Sequence, residues 1–154
     1  MVTIEGAVRR LPLEAYRLHG SEAGLRWTGT REAVLRLIWG SGKPLGAYEA
    51  AARLSSPERP VHAASVYRCL NCLSEAGLIL PLLAWKKYLI SPDPGVRTWG
   101  VLLCGGCGAC SAVDLSGQAD ALHRRCAEYR FVPRAFAAEC EGRCGGCTDR
   151  GGQP

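Results

Sequence analysis

The sequence predicts an α+β fold in two parts: three helices and a two-stranded hairpin, then a small α/β unit. Three observations predict it. Apolar residues recur at helical spacing in three successive segments between Thr30 and Ala76, and two strand-like runs follow at Leu78 to Leu83 and Lys87 to Ile90. Two glycine-rich hooks, Cys104-Gly-Gly-Cys107 and Cys144-Gly-Gly-Cys147, bracket a strand, strand, helix, strand pattern. The charge is also divided. Residues 1–90 carry 12 Lys and Arg against 7 Asp and Glu, a surplus of five positive charges, whereas residues 91–154 carry 7 of each and balance.

With 154 residues, 47% of them hydrophobic and 21% charged, the chain has the composition of an ordinary globular protein. No apolar run approaches the roughly 18 residues of a membrane span. The segment Met1 to Gly6 lacks a charged region leading into a long apolar stretch. A cytoplasmic protein without a membrane partner is therefore expected. Without a signal peptide, nine cysteines with C-x-x-C spacing point to metal or thiol chemistry rather than a disulfide framework.

Residues 5 to 19 mix apolar and charged positions at roughly helical spacing, with Pro12 early and Gly20 after, and predict a short N-terminal helix. From Thr30, the residues Ala33, Val34, Leu37 and Ile38 mark a second helix. Thr28 or Thr30 can cap it and Gly40 or Gly42 can stop it. Pro44 precedes a third helix from Ala47 to about Leu54, and Ser55 to Pro60 breaks the chain before a fourth, from about Ala63 to Ala76. That fourth helix gathers Val66, Cys69, Leu70 and Leu73 on one face and ends at Gly77.

Its other face carries Ser65, Tyr67, Arg68 and Asn71, hydrogen-bonding groups near the N-terminal half, where a recognition helix meets base edges and phosphates. Lys86 and Lys87 lie at the connection of the two strands that follow. Three helices and a basic hairpin make a winged helix-turn-helix. A plain helical bundle with a polar outer face is the competing account. Ser91-Pro-Asp-Pro-Gly95 is a turn-rich hinge. The domain division is thus an N-terminal extension over 1–23, a winged helix over 24–90, a hinge over 91–97, a zinc and dimerisation unit over 98–147 and a disordered tail over 148–154.

In the C-terminal unit, strands are expected over Thr98 to Leu103 and Ala112 to Leu115, and a helix over Gln118 to Tyr129 with Leu122 and Cys126 turned inward. A last strand is expected over 130–138, interrupted by Pro133. Four thiolates on two hooks suit a closed tetrahedral zinc site made by Cys104, Cys107, Cys144 and Cys147, one ion per subunit. The gap between the hooks is longer than in a compact zinc ribbon, so the ion would tie together the two ends of a folded unit. Such a unit is small for an independent core, and both zinc and a dimer partner would help it fold.

This order of features resembles the ferric uptake regulator (Fur) superfamily, closest to its zinc uptake regulator (Zur) branch. The residues that carry the resemblance are Gly24 to Leu35, the Ala47-Tyr48 opening of the third helix, Ser65 to Leu70 with Glu75 to Leu78, and Cys104 to Gly108 paired with Glu141 to Cys147. The resemblance implies a homodimeric transcriptional regulator, a repressor, bound to a palindromic, A·T-rich operator. Tyr67 and Arg68 match the pair that meets the major groove. Arg26 matches a basic residue at the minor groove or backbone, and the four cysteines match the structural zinc ligands. Arg31, Lys86 and Lys87 join Arg26 and Arg68 as phosphate contacts.

One region departs from the pattern. Family members that sense metal carry a hinge histidine or cysteine and a His-rich segment, but here the hinge residue is Ser91 and the following positions read Arg97, Thr98 and Trp99, leaving Asp93 and Asp114 as poor ligands. Metal-independent or thiol-based control is therefore expected. Cys110, Cys126 and Cys140 are the candidate redox or second-site thiols, while Cys69 and Cys72 read as packing. No enzyme activity is expected. The alternatives are a zinc-stabilised adaptor that pairs with another regulator, or a thiol-disulfide oxidoreductase. The latter is disfavoured because its C-x-x-C belongs at a strand-to-helix junction.

Overall fold

A computed structural model describes residues 10–133 and 136–148. The first helix, α1 (Leu13–Glu22), starts directly after Pro12 and runs through Gly20 instead of stopping there. The indole of Trp27 lies against this last turn and donates to the Ser21 hydroxyl at 3.0 Å. Residues 1–9, where the predicted helix begins, lie outside the described residues.

Helix α2 (Gly29–Ser41) is capped by Thr28, whose hydroxyl accepts the Arg31 N–H at 3.3 Å, and it ends at Gly42 in the left-handed conformation. Helices α3 (Ala47–Leu54) and α4 (Ala63–Glu75) complete the helix-turn-helix. Val66, Cys69, Leu70 and Leu73 of α4 are buried, as their spacing requires, against Val34, Leu35 and Ile38 of α2 and Ala47, Ala50 and Ala51 of α3. Burying each large aliphatic side chain contributes about 1.5–3 kcal/mol, so this face fixes which side of α4 looks outward.

Strands β1 (Ile79–Leu82) and β2 (Lys87–Ile90) pair antiparallel with Leu82 opposite Lys87, which leaves residues 83–86 as the wing turn. Leu45 bridges to Tyr88 through two backbone hydrogen bonds of 2.9 Å and anchors the wing to the helices. Ser91 is fully buried at the start of the hinge, where its N–H donates to the Leu78 carbonyl at 3.0 Å. Its own carbonyl accepts the Tyr16 hydroxyl at 2.6 Å, so α1 is tied to the hinge across 75 residues of sequence.

The C-terminal sheet has the order β4-β3-β5, built from β3 (Trp99–Cys104), β4 (Cys110–Asp114) and β5 (Ala138–Gly142). The hairpin β3–β4 is antiparallel, and β5 returns parallel to β3 after helix α5 (Ser116–Glu128). A single turn, α6 (Gly145–Thr148), follows. Thr148 closes that turn, and the remainder of the predicted tail, 149–154, lies outside the described residues.

Two expectations are corrected here. The last strand occupies 138–142 rather than 130–138: α5 ends with Arg130 in the left-handed region (φ 54°) and the Phe131 N–H closing back on the Cys126 carbonyl at 3.0 Å, so the chain turns where a strand was expected. Leu122 is not inward either, being 43% exposed, because only Ala119 of α5 is buried within one chain. Leu122, Tyr129, Phe131 and Val132 are exposed apolar side chains on and just after this helix among the described residues.

Candidate nucleic-acid interface and metal centre

The outward side of α4 presents Tyr67, Arg68 and Asn71 exposed and Ser65 half-buried. Arg68 Nη2 donates to the Ser65 hydroxyl at 3.2 Å, which holds the guanidinium near the N-terminal end of the helix. Tyr67, Lys86, Lys87 and Tyr88 line one concavity of about 270 Å³ together with Pro81 to Leu83, so the outward face of α4 and the lysines of the wing border a common groove. Lys86 sits at the tip of the turn with φ 51°.

Tyr48 of α3, 74% exposed, meets the Tyr67 ring edge-on with centroids 6.1 Å apart. Sequence reasoning used Tyr48 only as part of the helix opening. Its solvent-facing position, opposite the buried Ala47, Ala50 and Ala51, was the available signal for placing it beside Tyr67.

The basic residues divide by what they already hold. Arg17 and Arg36 both pair with Glu32, and the Arg36 hydrogen bond, aided by Arg17, keeps that carboxyl below the usual carboxylate range. Arg31 is half-buried and donates to the Arg26 carbonyl and, at 3.4 Å, to the Cys72 sulfur. Its guanidinium therefore braces the segment before α2 against α4 rather than standing free. Arg26 itself is exposed.

The cysteine hooks converge. The sulfurs of Cys104, Cys107, Cys144 and Cys147 lie within 4.8 Å of one another, and they are the group that could hold a metal ion among the described residues. The Cys107 and Cys144 sulfurs are 3.7 Å apart, close to the roughly 3.8 Å that tetrahedral ligation with 2.3 Å zinc–sulfur bonds implies. Cys104 ends β3 and is buried, while Cys144 follows β5, so the parallel pairing of these strands brings the two hooks together. A Cβ at Gly106 would lie 3.0 Å from the Cys147 sulfur, which explains glycine at that place in the first hook.

The environment favours the thiolate at Cys104. The Cys144 N–H donates to the Cys104 sulfur at 3.2 Å and, with N–H groups of Cys107 and Gly106, draws the Cys104 thiol down to about 6. Cys147 is pushed up to about 12 by its contacts with the sulfurs of Cys107, Cys144 and Cys104, the crowding of anions that a divalent cation relieves. The donor set, spacing and N–H···S bonds all fit zinc. With zinc bound, the four cysteines would hold it in a closed site that supplies a structural cross-link.

The other thiols are differently placed. Cys110 is 2% exposed, packed with Leu82, Leu89, Val101 and Leu103, and burial pushes its thiol up, the opposite of what a redox-reactive cysteine needs. Cys126 is half-buried on α5 and Cys140 exposed on β5. Cys69 is buried in the helical core with its thiol raised by burial, and Cys72 is half-buried and takes the Arg31 hydrogen bond.

In the hinge region the side chains are occupied locally. Ser91 Oγ donates to the Asp93 carbonyl at 3.0 Å, and Asp93 Oδ1 accepts the Gly95 N–H at 2.8 Å. Asp114 Oδ1 accepts the Ser116 N–H at 2.9 Å and its hydroxyl at 2.5 Å, bonds that hold the carboxyl below its usual range. Both carboxylates that remained as possible second-site ligands thus serve turns. Among the described residues no helix is long and apolar enough to cross a membrane.

Comparison with known proteins places this geometry. The model of the ferric uptake regulator family matches residues 22–133. The zinc uptake regulation protein of Escherichia coli K12 is 27% identical over 131 residues, spanning 84% of this chain and 77% of that protein, and its Shigella flexneri counterpart gives the same figures. Among solved structures, a zinc uptake regulator complexed with zinc and DNA superposes with TM-score 0.80 at 25% identity, over 90% of this chain and 93% of that one. Holo XcZur gives 0.77 at 28%, over 89% and 96%. The Helicobacter pylori ferric uptake regulator, at 19% identity and TM-score 0.56 over 96% and 97%, shares the fold. With its helix-turn-helix, wing and four-cysteine cluster in this order, the chain belongs to the ferric uptake regulator family, whose members are DNA-binding regulators rather than enzymes.

Proposed function

We propose that this chain is a cytoplasmic, homodimeric transcriptional repressor that binds a palindromic, A·T-rich operator. It carries one structural zinc per subunit, and its DNA binding does not depend on a second, regulatory metal. The winged helix over 24–90 reads the DNA, 91–97 is the hinge, and 98–147 forms the dimer through the apolar surface of Leu122, Tyr129, Phe131 and Val132.

The observation that carries the DNA-binding reading is the common groove of Tyr67, Lys86 and Lys87, with Arg68 held beside it. Arg68, Tyr67, Ser65 and Asn71 face the major groove. Arg26, Lys86 and Lys87 meet phosphates, and Arg31 supports Arg26 from behind. Similarity to zinc uptake regulation proteins and to a zinc uptake regulator complexed with zinc and DNA supports the ligand classes. Metal-independent control is supported by Ser91 and Asp93 of the hinge and Asp114 at the end of β4, each of which is engaged in local hydrogen bonds. Of the candidate thiols, the exposed Cys140 is the one open to oxidant.

The test is a binding titration on duplexes selected by the wild-type protein from a random-sequence library, with and without chelator, over a range of salt. Affinity should fall steeply with salt. Arg68→Ala should weaken specific binding by about 1–3 kcal/mol where the guanidinium reads a guanine. A chain that pulls down another regulator but selects no DNA is an adaptor instead. A second tightly held ion required for binding refutes the metal-independent reading.

A further inference from the structure

The winged helix and the C-terminal sheet are joined by more than the hinge. Glu139, the second residue of β5, reaches back to the wing turn, 56 residues earlier, where one carboxylate oxygen accepts the Leu83 N–H at 2.5 Å and the other accepts the Ala84 N–H at 2.9 Å. These are consecutive backbone donors just past the end of β1, and a carboxylate that accepts both makes two charge-assisted hydrogen bonds in a fixed orientation.

Beneath this contact the wing contributes to the sheet's own core. Leu82 and Leu89 are buried in one cluster with Val101, Leu103 and Cys110, and Trp85 packs against it. On the other side of the seam, Arg97 Nη1 donates to the Glu75 carbonyl at the end of α4, at 3.0 Å. Arg97 and Glu139 stand on the rim of a cavity of about 240 Å³ between the two halves, whose wall includes Leu80, Trp99 and Phe136.

We infer that Glu139 is a positioning residue for DNA binding: by gripping the wing turn it sets the pose of the winged helix on the dimerisation half, and so the separation of the two recognition helices in a dimer. The inference rests on the DNA-binding reading above. A dimeric helix-turn-helix protein selects half-sites by that separation, so a wing free to pivot would bind less tightly and discriminate spacing less. The grip comes from the chain's own carboxylate and backbone. Leu82, Leu89, Val101 and Leu103 pack through non-directional apolar contact, so the two directional bonds of Glu139 are what define the angle.

The test uses the full chain, zinc-loaded, with Glu139→Ala and Glu139→Gln. The probes are the library-selected duplex and derivatives in which the half-sites are moved apart by one or two base pairs. Glu139→Ala should lose at least about tenfold in affinity for the selected duplex, because both solvent-exposed hydrogen bonds to the carboxylate are removed. It should also bind the altered spacings nearly as well as the selected one, with zinc content and dimer mass unchanged. Glu139→Gln, which keeps a single carbonyl acceptor, should fall between the two, and amide exchange at Leu83 and Ala84 should accelerate in the same order. Loss of spacing discrimination is the readout that simple destabilisation would not move.

Equal affinity and equal discrimination in wild type and both variants overturn the inference while leaving the regulator reading intact. A wild-type chain that selects no DNA overturns both. If Glu139→Ala does not fold, Glu139→Gln alone decides, by the same two measurements.

Discussion

The Tyr16 hydroxyl is a sensitive probe of how the N-terminal helix is held, and Tyr16→Phe removes it with almost no change of shape. The ring is fully buried, its O–H donates to the Ser91 carbonyl at 2.6 Å, and its oxygen accepts the Leu11 N–H at 3.3 Å. Leu11 is half-buried, and its N–H can turn to water. The Ser91 carbonyl, on a residue with no exposure, cannot do so cheaply. Leaving such a group unpaired costs about 1–3 kcal/mol, so Tyr16→Phe should be destabilised by about 2 kcal/mol. For a chain of this size that is a melting temperature lower by about 4–8 °C.

The pH dependence sharpens the test. Burial pushes the Tyr16 hydroxyl up to about 12, above its ordinary 10. Because the folded state keeps this proton longer than the unfolded state, the advantage of Tyr16 is complete below pH 10 and declines as pH rises from 10 towards 12. At pH 10.5 the gap between wild type and Tyr16→Phe should have narrowed by about 0.8 kcal/mol. Urea titrations of both proteins, zinc-saturated, at pH 8 and pH 10.5 measure it. A difference under about 0.3 kcal/mol at pH 8, or a gap that widens at pH 10.5, refutes the reasoning.

Three further outcomes are expected. Gly77→Ala should cost about 1–3 kcal/mol, since φ there is +76° and the added Cβ would lie 2.6 Å from Arg97 Nη1; thermal melts of a double-mutant cycle should show a smaller cost in an Arg97→Ala background. Zinc affinity, measured by competition with a chromogenic chelator, should rise with pH by at least about tenfold per unit, because Cys147, pushed up to about 12 before metal binds, must give up its proton to become a ligand. Cys110 should stay unlabelled by iodoacetamide in the native protein and react only on unfolding, which peptide mass spectrometry reads directly; prompt native labelling would contradict its burial.

What the sequence disclosed, it disclosed through local signals. Thr28 and Gly42 delimit α2 because capping and the left-handed stop depend on residues within a turn of the helix end. The cysteine cluster was readable because each ligand pair is local and only the pairing of pairs is distant. The missed features lack such signals. β5 reads Ala138-Glu-Cys-Glu-Gly142 and buries none of these residues fully, so neither apolar alternation nor a buried run marks it, and its strand character comes from pairing with β3. Arg130 stops α5 in a left-handed conformation usually given to glycine. Arg31 reads as a phosphate contact, and no local pattern shows that the fold also brings the Cys72 sulfur to its guanidinium. Glu139 meets the wing across 56 residues, a contact that no local pattern encodes.

The parallel pairing of β3 with β5 also bears on how the chain folds as it is made. Gly100 finds its partner at Ala138, and Cys104 at Gly142, whereas the antiparallel partner of β3 is complete by Asp114. During synthesis the β3–β4 hairpin can therefore form with one edge of Val101, Leu102 and Leu103 open until the chain beyond α5 has emerged, and such an edge is a template for pairing with another molecule. The hooks lie at the closing end of this register, so a metal ion captured there would seal the open edge. Without such an ion, newly made copies would keep this edge open longer and be the ones exposed to aggregation.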